Sequence, residues 1–159
     1  MQQNKTASQR NSISPACWVP TAYFAMGLPF IAINLVSVFM FKDLGISDTQ
    51  ITLWTSLIMA PWTFKFLWSP FLEMYRTKKF FVLVTELLSG VLFGIVAFSL
   101  FFDYFFAISI STMAIIAFSG ATHDIACDGV YMAELNKEDQ AKYIGAVSYT
   151  HLRAHETSA

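Results

Sequence analysis

Hydrophobic residues make up 55% of this 159-residue chain and charged residues only 13%, about half the roughly 25% charged content of a soluble domain. That balance excludes an ordinary soluble globular protein and points to a membrane protein. The formal net charge of -1 excludes a strongly basic nucleic-acid-binding surface, so the information lies in where the few charges sit.

Residues Met1 to Ser14 are polar, and the first 16 residues read as a cytoplasmic tail. Trp18 to Phe41 then runs 24 residues without a charge, enough to cross a bilayer core of about 30 Å at 1.5 Å per residue. A cleaved signal peptide has a shorter apolar core followed closely by a small-residue cleavage site, so this is expected to be an uncleaved first helix. Gly27 and Pro29 interrupt its early part, which lipid tolerates where neighbouring helices or a cavity satisfy the freed backbone groups. Cys17 and Cys127 lie far apart in or beside apolar runs and read as two inert thiols, not a disulfide or metal framework.

The polar turn Lys42 to Gln50 offers Ser47 or Asp48 as an N-cap. A second span is expected over about 51–72, kinked at Pro61. It holds Lys65 and runs through Glu73 into the cations Arg76, Lys78 and Lys79. The third span, 80–102, is broken only by Glu86 and carries Gly90 and Gly94 at a spacing that lets helices approach closely. The fourth, 104–127, turns polar at its end, from Ser119 to Gly129. The four spans thus occupy residues 17–133, and 134–146 reads as a hydrophilic cytoplasmic segment.

Residues 147–159 stand apart. VSYTHLRAHET, from Val147 to Thr157, is similar to the in-frame translation of a transposon-end adapter used in sequencing libraries. His151 and His155 are therefore not read as metal ligands. The natural sequence is expected to stop near Ala146, as a piece of a longer chain.

Outside the spans and this tail, two cations precede the first helix, three follow the second and two follow the fourth, while Lys42 lies alone on the other side. Seven against one places the N-terminus in the cytoplasm. On that topology Lys65 and Glu86 each lie roughly 10 to 12 Å from the basic loop, and Asp124 about 15 Å from Glu134. An unpaired charge at mid-span costs about 2.5 to 3.5 kcal/mol, so pairing is expected. Lys65 should pair with Glu86 or Asp124, in a tie that either rearranges during function or stays fixed while the lysine snorkels to the interface. Asp124 and Asp128, four residues apart, share a face with Gly120, and small residues beneath two carboxylates suit a polar cavity.

His123 shares a face with Cys127, yet one helix turn does not close a coordination sphere, so no metal is assigned. Ser119 and His123 have contact spacing, but nothing marks an oxyanion hole, so no catalytic residue is assigned and the chain is not read as an enzyme.

Three strings, WVPTAYFAMGLPF (18–30), FKFLWSPFLE (64–73) and ATHDIACDGVYM (121–132), resemble the major facilitator superfamily, and within it the AmpG-like permeases. The likeness covers residues 17–146 in order. It implies an all-α membrane fold of twelve helices, of which these four are the first, with a solute cavity between two six-helix halves and alternating access. It further implies a permease of the bacterial inner (cytoplasmic) membrane, taking up a polar or amphiphilic solute such as a muropeptide by proton symport. Its partners would be the lipid bilayer, that solute and the C-terminal helices of the same chain, with no cofactor and no nucleic acid. Lys65, Glu86, Asp124 and Asp128 are the candidates for charge relay, and Gly27, Pro29 and His123 for cavity lining. Glu73, Arg76, Lys78 and Lys79 would form the gating loop, in which Met74 replaces the usual arginine and the usual glycine is missing. The alternative from another class is a non-transporting membrane scaffold or sensor with the same helices.

Overall fold

The computed structural model describes residues 14–74 and 77–144. The expectations for the first 13 residues, for Arg76 and for the tail 147–159 fall outside them, as does the side chain of Glu73. The described residues are helical and contain no strand.

Helix α1, Pro15–Asp43, is 29 residues long. It passes through Gly27 without a break. Its irregularity falls one turn after Pro29, where Ala32–Val36 widens into a π-turn. Proline has no N–H and its ring pushes on the carbonyl four residues back, and a widened turn relieves such strain. Side chains take up carbonyls there: Asn34 Nδ2 donates to Phe30 O at 2.9 Å, and Ser37 Oγ donates to Ile33 O. The helix stops at a left-handed glycine, Gly45, with φ 79°. Ile46 N–H reaches back to Phe41 O and Gly45 N–H to Lys42 O, both at 3.0 Å. That is a Schellman cap, closed by the apolar contact of Ile46 with the cluster around Phe41.

The second hydrophobic segment is not one span. It folds as α2 (Asp48–Ile58), α3 (Ala60–Phe64), a tight turn at Lys65–Leu67 and α4 (Ser69–Met74). The kink expected at Pro61 is present, with Met59 at ψ -12° ending α2 and Pro61 starting α3. Pro70 repeats the interruption at the start of α4. Each proline removes an N–H and disfavours helix in the residue before it, and two of them nine residues apart leave no room for a long helix. The caps fall as the sequence suggested: Ser47 is the N-cap of α2, although its hydroxyl donates to Gln50 Oε1 and not to the backbone.

Helix α5, Lys78–Ser99, and helix α6, Phe105–Glu134, form an antiparallel hairpin. With α1 they are the three described helices long and apolar enough to cross a membrane. The fourth expected span extends beyond residue 127, since α6 stays helical to Glu134 and is about 45 Å long at 1.5 Å per residue. Residues 137–144 form a further short helix, α7. Asn136 caps it through its side chain, which accepts the Asp139 N–H at 2.8 Å. Tyr131 O–H, donating to Gln140 O at 2.6 Å, ties it back to α6.

Helix α6 is central, contacting α1, the broken segment and α5. One apolar cluster near its start gathers Ile33, Phe41, Ile58, Leu92, Val96, Met113 and Ile116. A second near its end holds Val19, Tyr23, Met26, Cys127, Tyr131 and Leu135. Between the two clusters lies a polar stretch, from Ser119 to Asp124, all of it buried. Lipid is as apolar as leucine, so such helices associate through close packing and interhelical hydrogen bonds. The close approach is at Gly120, where an added Cβ would stand 2.9 Å from Trp62 Cζ2 and 3.3 Å from Pro29 Cβ. Gly90 and Gly94, expected to admit a neighbour, have nothing within 4 Å of such a Cβ.

Candidate functional site

Along α6, side chains one turn apart reach different neighbours, and this sorts its polar residues into two sets. The charged set faces α1 and the broken segment. Lys65, which opens the tight turn between α3 and α4, donates from Nζ to Asp124 Oδ2. The Asp124 side chain is only 4% exposed and that of Lys65 is 35% exposed. One turn on, Asp128 Oδ1 accepts the Tyr23 O–H at 2.8 Å. Tyr23, itself buried, meets the Tyr131 ring edge to face with centroids 5.8 Å apart. Of the two partners expected for Lys65, the structure selects Asp124.

The uncharged set faces α5. Ser99 and Ser109 share a hydrogen bond at 2.8 Å, and Ser89 Oγ donates to Ser119 Oγ at 3.1 Å. Ser119 in turn donates to Thr85 O at 3.1 Å. His123 is 4% exposed, with Nδ1 at 3.0 Å from Thr85 Oγ1 and Nε2 at 3.8 Å from Cys127 Sγ. Thr85 has one hydroxyl proton and gives it to Phe81 O at 2.7 Å. It therefore accepts from Nδ1–H, which leaves Nε2 to accept from the Cys127 thiol. Sequence reading missed this seam, although Thr85, Ser89 and Ser99 repeat at helical spacing on the one buried stripe of α5. Tyr23 was missed too, since nothing local marks a tyrosine whose partner is 105 residues away.

The remaining candidates scatter. Glu86 is exposed on α5, away from Lys65, and makes no ion pair or hydrogen bond with a described residue. The reason is rotational: Thr85 and Ser89 take the face of α5 that meets α6, which turns Glu86 outward. Pro29 is buried against Gly120 together with the Trp62 ring, so space beneath the aspartates is filled and is not a cavity there. Gly27 touches no such packing. His123, by contrast, lies at the floor of a cleft of about 730 Å³ between α1 and α5, which Cys17 and Cys127 also border. Both cysteines are free thiols. Among the described residues no group of three or more metal-ligating side chains is gathered.

Of the expected gating loop, Lys78 and Lys79 are the first residues of α5. The Lys78 stem lies over Gly129 of α6. Lys79 Nζ is 2.8 Å from Glu134 Oε1, with both side chains about half exposed or more. This contact joins the start of α5 to the end of α6.

Trp68 adds an unusual feature beside the break. Its ring stacks on Phe118 with centroids 4.6 Å apart, and its buried Nε1–H has no acceptor among the described residues.

Comparison with known proteins returns no match, whether against family models, curated proteins or solved structures. What the structure itself defines, among the described residues, is a helical fold without strands, three helices suited to crossing a membrane, and an ion pair with a buried aspartate beside the broken second hydrophobic segment.

Proposed function

We infer that this chain is part of a secondary active transporter of the major facilitator type, AmpG-like, which takes up a polar or amphiphilic solute such as a muropeptide with proton coupling. One observation carries the reading: the Lys65–Asp124 pair joins the central helix to the break in its neighbour. Non-helical backbone at membrane depth is tolerated where it is enclosed by protein or lines a cavity, and an ion pair inside the apolar zone is a functional feature by default. A proton arriving on the Asp124 carboxylate removes the countercharge that holds Lys65. The lysine then leaves, and the α3–α4 segment is free to change its angle to α6. Asp128 and Tyr23, one turn away, offer the next acceptor and donor.

The charge distribution supports the orientation with the N-terminus inside. Lys78 and Lys79 begin α5 at the end of the bundle where α6 finishes and α1 starts, and Lys42 sits at the far end. Cations gather on the cytoplasmic side of bacterial inner-membrane proteins. In this reading the spans lead a twelve-helix fold and the broken segment takes the place of the second, so solute contacts also come from C-terminal helices. Transport belongs to the full-length parent, and no catalytic residue is assigned.

The test is Asp124→Asn in the uninterrupted coding sequence. Proton-driven muropeptide uptake lost with membrane insertion intact is the expected result. Retained uptake overturns the relay, and loss of insertion alone supports the scaffold alternative.

A further inference from the structure

The cleft between α1 and α5 shares no lining residue with the Lys65–Asp124 pair, and the transport reading makes no use of it. At about 730 Å³ it falls within the 300–1,000 Å³ typical of small-molecule sites. Its walls are apolar and narrow-shouldered: Ala22 and Ala25 on α1 face Val82 and Leu83 on α5, and Trp18 stands on the α1 side. Two alanines at this helix face create the width, since larger side chains would close it.

Among the described residues the acidic and basic side chains that line the cleft are Lys79, Glu86, Glu134 and the buried imidazole of His123. Lys79 is held by Glu134 at 2.8 Å, which leaves Glu86 as the cleft carboxylate with no ion-pair partner among the described residues. Glu86 is seven residues further along α5, about 10 Å deeper than Lys79. A carboxylate at that depth in apolar surroundings is set to attract a cation that can itself enter from lipid.

We propose that this cleft binds a lipophilic monovalent cation, an amine or onium ion with an apolar body, with Glu86 as its counter-ion. The body lies along the alanine wall, with Trp18 among the apolar residues that border it. A single positive charge suffices, because the Lys79–Glu134 pair is already neutral as a unit. The site is independent of transport: it requires binding and no movement.

The experiment uses the full chain in nanodiscs with two probes of like size and opposite charge, tetraphenylphosphonium and tetraphenylborate. Equilibrium dialysis should show saturable one-to-one binding of the phosphonium and only non-saturable partitioning of the borate. Glu86→Gln, at an exposed position that keeps the side-chain shape, should weaken phosphonium binding at least tenfold. Ala25→Trp, which fills the cleft, should abolish it, with helix content checked by circular dichroism in both variants. Saturable binding of both probes alike, unchanged affinity in Glu86→Gln, or binding that survives Ala25→Trp in a folded chain each overturns the proposal.

Discussion

The two sides of α6 meet the same difficulty, polar atoms in an apolar setting, in opposite ways. Toward α5 the helices are continuous and the contacts are hydroxyl to hydroxyl or hydroxyl to imidazole. Toward α1 and the broken segment the backbone is irregular at Ala32–Val36 and again from Met59 to Trp68, and the contacts carry charge. Small neutral donors fit between straight helices because serine and threonine let backbones come close. A lysine long enough to reach across needs its own backbone to be turned and held, and the break supplies that. The first side is tied by neutral hydrogen bonds between straight helices, and the second by an ion pair set across a break.

The comparison is most sharply broken at the ion pair. Lys65→Met strands Asp124, whose side chain is 4% exposed, and should cost about 3 kcal/mol, as loss of one partner of a buried pair does. Asp124→Asn strands Lys65 instead, and a lysine that is 35% exposed can turn its ammonium outward, so the cost should be roughly half as large. Unfolding by SDS in mixed micelles measures both. Equal costs would mean that burial does not set the asymmetry.

Glycine substitutions come next. Gly120→Ala forces a Cβ to within 2.9 Å of the Trp62 ring and 3.3 Å of the Pro29 ring, an overpacking that should cost about 2 kcal/mol. Gly90→Ala meets nothing within 4 Å and should stabilise by about 0.5 to 1 kcal/mol through helix propensity alone. The same unfolding assay reads the opposite signs. A loss at Gly90 would mean that another helix rests on that face.

The smallest effect is expected on the neutral seam. Ser99→Ala removes the hydroxyl shared with Ser109 and should cost about 0.6 kcal/mol, the average for an interhelical hydrogen bond in a membrane protein. A double-mutant cycle with Ser109→Ala isolates the pair. A coupling as large as that of Lys65 with Asp124 would erase the distinction between the two sides.

Hydropathy, helix punctuation and charge placement are local properties, and they were legible in the chain itself. The apolar runs predict α1, α5 and α6 to within a few residues at most ends, Ser47 stands at the N-cap position of α2, and Pro61 interrupts where it should. Glu134 lies past the expected end because the polar string from Ser119 is hydrophilic only when read in isolation. Folded, those residues are covered by α1, α5 and the broken segment, and their helix continues. The second hydrophobic run was misjudged for a related reason: length and composition count apolar residues, while two prolines and a tight turn decide whether they make one rod.

What the amino-acid order by itself determined is that the protein is helical and hydrophobic enough for a membrane, with a handful of charges that must find partners. Which partners they found was decided only in three dimensions. Lys65 and Asp124 are 59 residues apart and Tyr23 and Asp128 are 105 apart, and both matches depend on how α6 is rotated against its neighbours. Glu86 shows the other outcome, since a turn of about 100° per residue puts Thr85 inside and its neighbour outside. A charge pattern states the need for compensation, but a helix's rotation, set by the close contact at Gly120 and the serine seam, decides where compensation comes from.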